Sequence, residues 1–152
     1  MLFKLMLVMT FGCSVLSFQG CPTQGYREWV IVGSHCAKHF HEEHNFGEAE
    51  RICQGQHENG HLISVHDGKA NDDLRVLTGN WYKRTWIGGQ KMPYANSWMW
   101  TDGSKWNYQN WVPGEPDGIG DCVQINYHTP GKFDDVQCWS KRGFVCAFPI
   151  EK

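Results

Sequence analysis

Cysteine spacing constrains this chain more than any other feature of it. Of its seven cysteines, Cys13 lies inside the opening run "MLFKLMLVMTFGCSVLSFQG". That run has one Lys near its start and then an apolar stretch too short and too early for a spanning helix. It reads as a secretory signal peptide over residues 1–17, with Val15 and Ser17 at the two small-residue positions and a cut as late as residue 20 as the other option. The cysteines left in the mature chain are Cys21, Cys36, Cys53, Cys122, Cys138 and Cys146. An even set in an oxidising compartment reads as a disulfide framework, and spacing alone leaves every connectivity open. Zinc is the rival reading, but the sequence contains no CxxC pair.

The mature chain fits one domain, residues 18–152, without internal repeats or low-complexity linkers. Its hydrophobic content of 41% and charged content of 20% are those of an ordinary globular protein. Net charge is −2, with no Lys/Arg run, so neither nucleic-acid binding nor polybasic membrane attachment is expected. No later apolar run is long enough to cross a bilayer, so the mature protein is expected to be secreted and soluble in the extracellular space.

Residues "REWVIVGSHCAKHF" alternate as a strand or hairpin would. "NFGEAERICQGQ" predicts a helix with Phe46, Ala49 and Cys53 on one face, Asn45 as its cap and Glu48 three residues later. "GKANDDLRVLTGNW" predicts a shorter helix, with Leu74 and Leu77 facing inward and Gly79 as its stop. From "RTWIGGQ" onward, Trp, Gly, Pro, Asn and Asp interrupt short apolar pieces such as "SWMW", "CVQINY" and "GFVCAF", which predicts short strands between long ordered loops. Two early helices followed by a strand-and-loop half imply an α+β fold.

Three groups of residues carry candidate chemistry. Trp98, Trp100, Trp106, Trp111 and Trp139 all fall in the loop-rich half, where large amphipathic rings pin loops; one exposed ring beside an acidic loop would also serve to stack a sugar. The histidines of "HCAKHFHEEHNF" miss both zinc-protease patterns by one residue, because Asn45 and Phe40 stand where histidines would be needed, so they are expected to be solvent-exposed polar residues. No GxSxG motif occurs, and no catalytic residue is assigned: the chain reads as a non-enzyme. Finally, "GEPDGIGDC" and "GKFDDVQC" crowd Glu115, Asp117, Asp121, Asp134 and Asp135 into Gly-rich loops beside Cys122 and Cys138. Such loops do not provide the apolar pocket that a glycosidase acid requires.

Taken in order and spacing, "CPTQGYREWVIVGSHC", "AERICQGQHENGHLISVHD", "WIGG", "WTDGSKWNYQNWVPGEPD" and "DCVQINY…GKFDDVQCWSKRGFVCAF" resemble a C-type lectin-like domain over almost all of the mature length. Single-domain secreted members, such as the fish lectins and the type II antifreeze proteins, are nearest in shape. The resemblance implies a fold of two helices with small antiparallel sheets and a long calcium-binding loop region. It also implies disulfides Cys21 to Cys36, Cys53 to Cys146 and Cys122 to Cys138. Carried over by position, Glu115, Asp117, Asp134 and Asp135 match the family's calcium ligands, which in such lectins also bind the sugar. Calcium wants six to eight oxygens, and carboxylates clustered in loops supply them.

This chain departs from the family pattern in three places. Gly120 stands where a Glu ligand is usual, "FDD" replaces "WND" so that Phe133 takes the place of a core Trp, and "EPD" mixes the Glu of mannose-type sites with the Asp of galactose-type ones. The family's auxiliary calcium site is not expected, since "GQKMPYANS" lacks its acids and Asp121 alone remains. The four carboxylates also lack the N–H donors that sugar hydroxyls accept from in this family. The resemblance therefore implies a secreted calcium-dependent lectin for galactose- or mannose-type glycans, with innate defence as a role and an oligomer as a route to multivalent binding. The alternative is a lectin-like domain that binds ice, as type II antifreeze proteins do, or a calcium-independent one that binds a protein ligand.

Overall fold

The computed structural model describes residues 17–79 and 83–152. The leader read over residues 1–17 therefore lies, but for Ser17, outside the described residues. The elements in chain order are β1 (Val30–Val32), β2 (His35–His44), α1 (Phe46–Gln56), β3 (His61–Leu62), α2 (Gly68–Leu77), β4 (Thr85–Lys91), β5 (Trp98–Trp100), β6 (Cys122–Ile125), β7 (Phe133–Val136) and β8 (Arg142–Pro149). The strands join in the order β1-β2-β8-β4-β6-β7, with β3 on β8 and β5 on β4. The pairing of β4 with β8 is parallel and the other strand pairings are antiparallel. The α+β class and the early position of both helices are as the sequence predicts.

Local chemistry sets the helix ends. The Asn45 side chain accepts from the Glu48 backbone N–H at 2.9 Å, and the Glu48 carboxylate accepts from the Asn45 N–H at 3.4 Å. This reciprocal box satisfies two otherwise orphaned donors, and a cap of this kind contributes about 1 kcal/mol. Phe46, Ala49 and Cys53 are the buried face of α1. Asp67 caps α2 by accepting from the Ala70 N–H at 2.8 Å. Gly79 follows with φ +90, a conformation that stops a helix and that L side chains resist.

Two buried clusters form the interior. One gathers Val32, Ile63, Leu74, Ile87, Trp100 and Phe133 between α2 and the sheet. The other packs Trp29, Phe46, Trp86 and Phe148 around the cysteines at the α1 end. The disulfides are Cys21–Cys36, Cys53–Cys146 and Cys122–Cys138, the pairings the family resemblance implies. Cys53–Cys146 spans 93 residues and fastens α1 to β8. In the chain-entropy account such a closure contributes about 4–5 kcal/mol, and the shorter bridges about 3 each.

The histidines need a correction. His41 is exposed and His35 and His44 are partly so, but His39 is buried. Strand alternation puts it on the inward face with Ala37. Its Nε2 has no hydrogen-bond partner, and its pKa is pushed down to about 4, chiefly by burial and further by the neighbouring His41 and Lys83. The tryptophans mostly pin loops: Trp98, Trp106 and Trp111 pack around buried Trp100 and Phe133, while Trp139 is exposed.

Candidate functional site

The loop from β5 to β6 has little regular structure, so its position depends on bonds to β7. The Phe133 N–H donates to the Asn110 carbonyl at 2.7 Å, and the Val112 N–H donates to the Phe133 carbonyl at 2.9 Å. Gly114, with φ +92, then turns the chain so that the Glu115 N–H reaches the Val112 carbonyl at 2.9 Å. The loop thereby delivers Glu115 and Asp117 to the end of β7, where Asp135 sits.

Asp135 organises the site. One carboxylate oxygen accepts from the Asp117 N–H at 3.0 Å, and the other accepts from the Gly118 and Gly120 N–H groups at 3.0 and 3.3 Å. Asp117 in turn accepts from the Ile119 N–H at 2.9 Å, and Glu115 from the Asp117 N–H at 2.9 Å. Oxygen atoms of Glu115, Asp117 and Asp135 lie within 4.8 Å of one another, an arrangement that could hold a metal ion. Crowding appears in the proton affinity of Glu115. Its pKa is raised to about 7, first by burial, then by its contact with Asp135 and by the charges of Asp134 and Asp117. A hard divalent cation would relieve that repulsion, and the donor set, all oxygen, suits calcium.

Asp134, the fourth residue assigned by position, stands beside this group. It is buried, and its Oδ2 accepts from the Gln124 amide at 2.7 Å; Gln124 Oε1 accepts from Arg142 at 2.9 Å. Burial raises the Asp134 pKa, the Gln124 bond opposes that rise, and Asp135 and Asp117 add to it. Asp121 is exposed and outside the group. Gly120 is buried, and a Cβ placed on it would overlap the main chain of Val136. Where the family usually carries a Glu ligand, this chain instead packs backbone against β7 and donates an N–H to Asp135.

Sequence reasoning passed over three residues. Gln124 lies in the apolar-looking "CVQINY", and only the cross-strand register, which places it opposite Asp134, reveals its bond. Lys91 and Asn96, from "GQKMPYANS", line a cavity together with Trp98, Asp117 and Asp135. No sequence signal marks them, because the link is spatial.

Two helices on a disulfide-bridged sheet, with carboxylates held at the ends of long ordered loops, define a loop-borne binding domain. Residues 42–148 match the family model described as Lectin C-type domain, and the chain belongs to that family. A lectin of Pleurodeles waltl is 36% identical over 107 residues, which are 66% of this chain and 62% of that protein. The galactose-specific lectin nattectin of Thalassophryne nattereri is 32% identical over 135 residues, 84% of this chain and 79% of that one. The herring type II antifreeze protein superposes with a TM-score of 0.76 at 24% identity, covering 86% of this chain and all of its own, a likeness of fold. No helix among the described residues is long and apolar enough to cross a membrane.

Proposed function

We propose that this protein is a secreted, calcium-dependent lectin whose mature part, residues 18–152, binds glycans through one calcium ion held by Glu115, Asp117 and Asp135 with Asp134 beside them. The observation that carries this reading is the convergence of three carboxylates within 4.8 Å of one another; burial first, and then the neighbouring acids, raise the Glu115 pKa to about 7. When bound, calcium supplies coordination positions for paired sugar hydroxyls. The protein's part is to fix the ion and the sugar. Asp135, held by three backbone N–H groups, is the rigid ligand, and Glu115 and Asp117 accept hydrogen bonds from sugar O–H groups as well as binding the ion.

Nattectin's galactose specificity and the resemblance of "EPD" to both sugar classes support a galactose- or mannose-type ligand. The test is calcium titration by calorimetry, followed by retention on immobilised galactose and mannose with calcium and with chelator. One calcium per chain is expected, with sugar retention that chelator abolishes, and Asp135→Asn should remove both. Calcium uptake without retention on any glycan would turn the reading toward ice or a protein ligand; ice-growth inhibition and pull-down with the intact protein would separate those two.

A further inference from the structure

The three carboxylates that would hold a calcium ion, Glu115, Asp117 and Asp135, can accept hydrogen bonds from a sugar but cannot donate any. The fold brings donors from elsewhere. A cavity of about 260 Å³ is lined by Asp117 and Asp135 on one side and by Lys91, Asn96 and Trp98 on the other. It is smaller than the roughly 300–1,000 Å³ of sites for drug-sized ligands, which suits a single sugar ring. Among the described residues, neither the Lys91 ammonium nor the Asn96 amide has a hydrogen-bond or ion-pair partner, and Trp98 is only partly covered by its indole neighbours Trp106 and Trp111.

Lys91 and Asn96 also line a second, larger cavity of about 480 Å³, together with Tyr94 and Asp121. Tyr94 is fully exposed and adopts φ 59, so the turn between β4 and β5 holds an aromatic ring in solvent in a conformation that costs non-glycine residues energy. Asp121 is exposed and lines this second cavity with Lys91, so the cavity carries charges of both signs, which favours an uncharged ring over a sulfated or carboxylated one.

Building on the calcium-lectin reading, we propose that the site takes a neutral oligosaccharide of at least two rings: one on calcium, hydrogen-bonded by Lys91 and Asn96, and the next beside Tyr94. Lys91 and Asn96 supply the N–H groups that meet hydroxyl lone pairs on the first ring, and Trp98 offers that ring apolar contact. Tyr94 adds contact to the second ring only.

The test is titration of the mature protein at saturating calcium with galactose, lactose, mannose and α-mannobiose. The wild type is expected to bind the better disaccharide at least 5-fold more tightly than the matching monosaccharide. Lys91→Met keeps the aliphatic stem and removes the donors; with calcium saturating throughout, it should weaken monosaccharide and disaccharide alike by about 10-fold. Tyr94→Ala, at a fully exposed position that leaves the core untouched, should erase the disaccharide advantage and spare monosaccharide binding. Equal wild-type affinity for single and paired rings, or variants that bind as the wild type does, would overturn this inference and leave the lectin reading standing. Calcium uptake with no sugar binding by the wild type would overturn both.

Discussion

Single residues set both the strengths and the weaknesses of this site. Asp117 spends one oxygen on the Ile119 N–H, a bond that an amide oxygen would also accept. Asp117→Asn therefore keeps the loop and adds the N–H donor that the carboxylates lack. Retention on mannose relative to galactose should rise severalfold at saturating calcium, with some loss of calcium affinity from the missing charge; an unchanged ratio would refute the donor argument. His39 sets a different limit. Its folded pKa of about 4 lies below the ordinary 6.5, so as pH falls the unfolded chain takes the proton first. Stability is complete above pH 6.5 and is lost as pH drops toward 4, by about 2 kcal/mol at pH 5. His39→Leu should flatten that decline in urea midpoints measured at pH 7 and pH 5, and a slope equal to the wild type would show that burial of this ring is not its cause.

At the scale of elements, the joint between the "EPD" loop and β7 is the critical one. Gly120 lies against the Val136 main chain, and from there its N–H, with those of Asp117 and Gly118, reaches Asp135. A methyl group at residue 120 cannot be accommodated without pushing the loop off the strand. Gly120→Ala should therefore cost about 1–3 kcal/mol and abolish calcium binding together. A variant that loses stability yet titrates with calcium normally would separate the joint from the site. In the sequence alone, Gly120 reads as a missing ligand; its steric role depends on Val136 of β7, sixteen residues later in the chain. By contrast, the Asn45–Glu48 box and the Gly79 stop are complete within one turn of helix each, and so they were legible in the sequence.

For the whole molecule, the proposed calcium ion and the disulfides would act on the same equilibrium from opposite ends. The bridges restrict the unfolded chain, whereas an ion bound only by the folded loops stabilises by mass action, by about 2.7 kcal/mol at a hundred times its Kd. Melting in calcium at that level should therefore run roughly 5–10 °C above melting in chelator, with the disulfides intact in both scans; coincident melting curves would mean that the site binds no calcium. The sequence by itself determined the class of fold, because helix periodicity, caps, turn glycines and cysteine number are short-range or countable features. It also singled out Glu115, Asp117 and Asp135, whose carboxylates lie together in the structure, because their loops have a recognisable order. Only the tertiary structure decided that Glu115, Asp117 and Asp135 converge while Asp134 turns to Gln124, that His39 is buried, and that Lys91 and Asn96 border the site. Each of those facts depends on strand register and loop docking between segments far apart in the chain, and no local pattern records where a distant segment will lie.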